Sequence, residues 1–200
     1  MKQKMTATHI IPRSIEQEAR KALAYYPELR DIHIEFRFKE NIRKSFMQAQ
    51  PLFPTLLRHK KHRKYLILIS TKMEIESHSF SIQDLESKVL IGWLGHELGH
   101  VMDYQRRSNL GMVVFGLRYL FQKSYLKRAE RTADRFAIEH GMYDYIMATK
   151  NFILENADLS PTYKDRIKRL YLSPEEIVQM VNTLDKEQVK KEVRQEFIDD

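Results

Sequence analysis

The chain has 200 residues, 42% hydrophobic and 30% charged. That is enough to bury a real core and suits a single domain, residues 1–200, rather than two. Lys and Arg outnumber Asp and Glu by 34 to 27, a net charge of +7, so the field of the protein attracts nucleic acid, anionic lipid or acidic partners. No cysteine occurs, which rules out disulfides and thiolate metal sites and fits a reducing compartment.

Met1 to Arg13 carries lysines but no apolar run, so it does not read as a secretory signal. The expected location is cytoplasmic, with peripheral membrane association left open. Ser14 to Tyr26 reads as a helix with a capping box of Ser14 and Gln17, ended by Pro27. Ile32, Ile34, Phe36 and Phe38 alternate with polar residues, as in a half-buried strand. Asn41 to Leu57 is ambiguous, broken by Pro51 and Pro54. Arg58 to Lys64 is a dense basic loop able to attract nucleic acid or an anionic membrane. A solvated connection is its more ordinary meaning, since no nucleic-acid fold signature accompanies it, and His59 and His62 lack the spacing of a second metal site. Tyr65 to Thr71 is apolar enough for a central strand, and Lys72 to Phe80 reads as a third strand at the sheet edge.

A helix is expected from Ser81 onward, capped by Ser81 or Ser79, with Asp84 and Glu86 in its first turns. It leads into Gly95-His96-Glu97-Leu98-Gly99-His100, which has the H-E-x-x-H form. Four residues apart on a helix, His96 and His100 share a face and can offer both imidazoles to one ion. Glu97 projects beside that ion, placed to take a proton from a metal-bound water. Two surface histidines with a solvated glutamate are the bland alternative. Context weighs against it: Leu85, Val89, Trp93, His96 and His100 fall near one stripe, and buried unpaired imidazoles are costly. Gly92, Gly95 and Gly99 each cost a helix about 1 kcal/mol against alanine. Three in one helix imply a neighbour packed close to its backbone.

Leu110 to Phe121 is mostly apolar but interrupted by Arg118, and is too short for the ~20 residues a membrane span needs. A buried hairpin, an interfacial helix and a dimer surface are all open, with a packed core helix the simplest reading. A second helix, capped by Ser124, then puts Glu130, Ala133, Asp134 and Ala137 on one face. Nothing directly after His100 extends the motif, so the metzincin pattern is excluded. Glu130 is therefore the candidate third ligand, against an ordinary pairing with Lys127 or Arg131. Asp134, one turn on, is placed to fix the tautomer of a ligand histidine. Gly141 looks like the C-cap of that helix. Met142 to Glu155 reads as a core helix, and Ser173-Pro174-Glu175-Glu176 opens an amphipathic C-terminal helix over about 174–197.

His96-Glu97-Leu98-Gly99-His100, followed by Glu130-x-x-Ala133-Asp134, resembles the gluzincin metalloproteases of the HtpX and CAAX-prenyl endopeptidase family. Residues 80 to 170 carry the likeness. That family has H-E-x-x-H on one helix, E-x-x-x-D on the next, and a later T-H-P-x-x-x-R-I-x-x-L. Here the last stretch is Ser160-Pro161-Thr162-Tyr163-Lys164-Asp165-Arg166-Ile167-Lys168-Arg169-Leu170, with Ser160 where the family has histidine. The resemblance implies a zincin-like, mainly helical α+β domain (core about 14–172), with a small sheet packed on the active-site helix. It implies one Zn2+ per chain on His96, His100 and Glu130, with Glu97 as general base in peptide-bond hydrolysis.

The substrate would be a peptide or an unfolded protein segment, laid along the expected edge strand at Glu74 to His78. Arg166 is the first candidate to steady the oxyanion, ahead of His140, Tyr143, Tyr145 and Tyr163. Two other classes stay open: a zinc-binding regulatory module without turnover, and a basic adaptor for nucleic acid or anionic membrane.

Overall fold

In the computed structural model, which describes residues 9–40, 42, 45–56, 58–59, 62–75, 78–155 and 159–199, the chain is mainly helical with a small sheet. The sheet has strand order β1 (Ile34–Lys39), β3 (Tyr65–Ser70), β2 (Met47–Pro51). β3 is parallel to β1 and antiparallel to β2. All six residues of β3 are buried, as an uninterrupted apolar run requires of a central strand. Ile10 bridges to Glu35 along the outer side of β1. The other edge, β2, is turned toward the helices.

β2 lies inside the stretch 41–57 that periodicity left ambiguous. Gln48, Ala49 and Gln50 have no apolar alternation, and Pro51 ends the strand at an edge, where it is tolerated. The expected third strand over 72–80 is instead a separate hairpin of β4 (Lys72–Ile75) and β5 (His78–Ser81), outside the main sheet. The suggested peptide site at 74–78 therefore does not border that sheet, and its residues 76 and 77 lie outside the described residues.

Helix α2 (Ser87–Gln105) carries the H-E-x-x-H motif and is the axis of the molecule. It starts six residues later than the serine caps imply, because Ser79 and Ser81 belong to β5 and residues 82–84 form a 3-10 turn. Every residue from Val89 to Tyr104 is buried. The expected single stripe is thus replaced by a helix enclosed on all sides. Helix α1 (Glu16–Ala24) packs against it, and the Tyr26 hydroxyl that follows α1 donates to Gly95 O (2.6 Å). The Ser14–Gln17 capping box does not form; a 3-10 turn precedes α1.

The three glycines of α2 mark where its neighbours touch. A Cβ at Gly92 would overlap the carbonyl of Tyr145, in α5 (Tyr143–Glu155). One at Gly99 would overlap the Ala133 carbonyl, in α4 (Lys123–Glu139). At Gly95 the obstacle is the Met142 side chain. At the C-terminal end of α2, the buried Arg63 guanidinium donates to Tyr104 O (2.9 Å), Arg107 O and the Asn109 side chain. One cation of the basic loop is therefore a helix cap, where the helix dipole favours positive charge.

α4 begins at Lys123 after Gln122, without the expected Ser124 cap, and ends at Gly141, whose φ of +79° suits glycine. α6 (Pro161–Leu170) is capped by Ser160, whose Oγ accepts from Tyr163 N. Before α7 (Pro174–Asp199), Ser173 and Glu176 exchange backbone N–H bonds in a capping box. Arg131 reaches Glu176 and Tyr171 O, tying α4 to α7.

Helix α3 (Asn109–Phe121) differs from the expected packed core helix. It buries Met112 and Phe115, while Leu110, Val113, Val114, Leu117, Leu120 and Phe121 are exposed. Among the described residues, no helix is long and apolar enough to cross a membrane.

Two glycines make a matched test of this packing. Gly99→Ala forces α2 off the Ala133 carbonyl and should cost about 1–3 kcal/mol in thermal or urea unfolding. Gly116→Ala meets nothing within 4 Å and should stabilise by roughly 0.5–1 kcal/mol, the ordinary helix gain over glycine.

Candidate metal centre

α2 and α4 run antiparallel past each other at Gly99 and Ala133, which sets His96 beside Asp134 and His100 beside Glu130. Glu130 Oε2 lies 3.2 Å from His96 Nε2 and 3.3 Å from His100 Nε2. All three donor atoms lie within 4.8 Å of one another, and all three residues are buried. Metal–ligand bonds of about 2.0–2.1 Å in a tetrahedral site put ligand atoms about 3.3–3.4 Å apart, so these spacings suit one ion shared by three donors. His100 Nδ1 is buried and has no hydrogen-bond partner, an unsatisfied atom on an otherwise well-bonded cluster. The buried cluster of His96, His100 and Glu130 can hold a metal ion.

Hydrogen bonds from neighbouring elements fix several groups of the cluster. His96 Nδ1 donates to Asp134 Oδ1 (2.8 Å), which fixes the ring with Nε2, the atom that a bound metal would take, facing Glu130. Asp134 also accepts from Lys150 Nζ (2.9 Å) on α5 and from Leu172 N (3.0 Å). Burial disfavours the Asp134 charge, yet Lys150 and His96 outweigh it and bring the carboxyl down to about 2. Glu130 Oε1 accepts from the Tyr119 hydroxyl (2.7 Å) on α3. Burial raises the Glu130 pKa, but His100 and His96 hold it well below the usual carboxylate range. Glu97 is buried and its Oε2 accepts from Ala49 N (2.6 Å) on β2. Desolvation pushes its pKa up against the pull of the two histidines.

The helper residues expected from sequence separate here. Tyr163 joins His96, Glu97, Lys150 and Tyr171 in lining a narrow cavity of about 30 Å³, room for one or two waters. Burial raises the Tyr163 phenol to about 12, with the nearby Arg166 charge opposing. The contacts of His140 are elsewhere: its Nδ1 donates to Phe136 O (2.7 Å), its Nε2 faces Glu28, and its ring stacks on Tyr26. It is a helix-end residue of α4, a correction to its candidacy. Tyr145 packs against Tyr25, also away from the ligands. Tyr143 is only partly buried, packed on the core.

Four contributors escaped the sequence reading: Tyr119, Lys150, Tyr171 and Ala49. Tyr171 lies 5.3 Å from the His96 ring and under Lys150 Nζ (4.2 Å). A lysine on the apolar helix α5 was the one visible signal among them.

When no ion is bound, burial disfavours a charged His96, but the hydrogen bonds to Asp134 and Glu130 prevail and raise its pKa from 6.5 to about 10. The folded value is above the unfolded one. This proton's stabilisation is therefore complete below about pH 6.5 and lost as pH rises through about 10. A metal must displace that proton, so affinity for a divalent ion should climb by up to about tenfold per pH unit between 7 and 9. Chelator competition at several pH values measures it. Tyr119→Phe leaves Glu130 Oε1 without its donor and should weaken metal binding about 10–100-fold, read in the same titration.

Comparison with known proteins finds no match to any family model, curated protein or solved structure.

Proposed function

We propose that the protein is a zinc-dependent endopeptidase of gluzincin type, with a zincin-like arrangement of α2, α4 and the sheet. The observation that carries this reading is Glu97, a buried carboxylate beside the ligand cluster and bonded to the outward backbone of the edge strand β2. A site serving only to hold an ion has no need of a carboxylate there. A zinc ion on His96, His100 and Glu130 would supply Lewis acidity and lower the pKa of a water to about 7; two imidazoles and one carboxylate suit zinc best.

Glu97 takes the proton of the attacking water and passes it to the leaving amine. Its burial, which favours the neutral carboxyl, helps it hold that proton between the two transfers. Ala49 N–H holds Oε2 in place, and the Tyr104 hydroxyl donates to Ala49 O (3.2 Å). Both outward main-chain groups of Ala49 are thus engaged by α2, which fixes β2 against the motif helix. Tyr163 keeps its phenolic proton at neutral pH and donates to the oxyanion, a role better supported by its place on the cavity than that of Arg166. A cytoplasmic location belongs to the same reading.

Glu97→Gln keeps the ligands and should retain one zinc per chain while lowering cleavage of a peptide library by about 10²–10⁴-fold. Glu130→Ala should lose the metal itself, read by mass spectrometry. Zinc bound at full occupancy with no cleavage of any library member by wild type would sink the peptidase reading and leave a regulatory zinc module.

A further inference from the structure

We propose that α3 is a docking helix for an anionic lipid surface. Six of the nine exposed large hydrophobic residues among the described residues lie on this one helix: Leu110, Val113, Val114, Leu117, Leu120 and Phe121. Single exposed apolar residues are ordinary on any protein, but a contiguous group is not. Their spacing of three and four puts them on one face, and Leu110, Leu120 and Phe121 are 74%, 74% and 80% exposed. The stripe cannot turn inward, because the opposite face is already committed. Met112 and Phe115 are buried there, and Tyr119 donates to Glu130 at the metal cluster.

Thirteen residues make a helix about 20 Å long. That is too short to span a bilayer and suited to lying in the plane of its interface. Charge selects the occupant. No acidic residue occurs between Asp103 and Glu130, nor between Glu40 and Glu74. Arg118 is exposed within the helix, and Lys123, Lys127 and Arg128 are exposed just beyond its end. At the start of α3 the Asn109 side chain donates to Arg58 O (2.9 Å), which brings the basic loop to the same helix. Two copies meeting stripe to stripe would bring like-charged rims together. An acidic leaflet accepts both the apolar stripe and its cations. This inference is independent of the catalytic reading.

The test is co-sedimentation of the full chain with vesicles of phosphatidylglycerol and phosphatidylcholine in equal parts, against phosphatidylcholine alone. Wild type should bind the anionic vesicles more tightly and release them in high salt. Leu117→Glu with Leu120→Glu, and separately Arg118→Glu with Lys123→Glu, should each weaken partitioning about tenfold or more. Because these side chains are exposed, thermal unfolding and zinc content should stay as in wild type, which separates lost docking from lost folding. Absence of wild-type binding overturns the proposal, and so does binding that survives Leu117→Glu with Leu120→Glu, since charge alone would then be the cause. A wild-type dimer by sedimentation equilibrium, made monomeric by that same pair, overturns it in favour of a second copy on this face.

Discussion

The approach of two helix backbones at Gly99 and Ala133 is the constraint on which the rest depends. Imidazole and carboxylate side chains are short, so ligands from α2 and α4 meet only if the helices nearly touch. Glycine on one side and alanine on the other permit that contact. The donor spacings of 3.2 and 3.3 Å follow from it. A metal site tolerates only about 0.2 Å of error in its bonds, so a methyl group between these helices would be felt at the ligands.

The cluster places Glu97, His96, His100, Glu130, Asp134 and Lys150 inside the protein. Isolated, such groups would be costly to bury. Here they form a chain from Lys150 to Asp134 to His96 to Glu130, ending on the Tyr119 hydroxyl. Buried ion pairs add little net stability, because desolvation offsets their attraction. What this chain supplies is definition: α5, α4, α2, α3 and the turn at Leu172 all bond to one connected set of groups, which holds the ligand atoms in register.

α3 belongs to both the interior and the surface. One side carries Tyr119 to Glu130 of the candidate metal cluster, and the other presents an apolar stripe to whatever lies outside. The edge strand β2 has a comparable double position, paired with β3 on one side and holding Glu97 and Tyr104 through Ala49 on the other. The site thus lies where a helix bundle meets an incompletely paired sheet edge.

The sequence by itself determined the features that depend on spacing along one element. His96 and His100, and likewise Glu130 and Asp134, share a face because four residues make about one helical turn. The need for close neighbours at Gly92, Gly95 and Gly99, the left-handed cap at Gly141, the helix start at Ser173-Pro174 and the central place of Tyr65 to Ser70 are local in the same way. Only the tertiary structure decided what depends on pairing between distant residues. Ala49 has no signature until β2 becomes the edge strand beside Glu97. Lys150 and Tyr119 gain meaning only from the carboxylates they meet, and Arg63 only from the helix end it caps. The helix start at Ser87 was hidden because Ser79 and Ser81, good caps in isolation, are taken by a hairpin. Periodicity also reports that a stripe is apolar, not which way it faces. α2 is buried all round and α3 turns its stripe outward, an outcome set by what else the chain could bring against each helix.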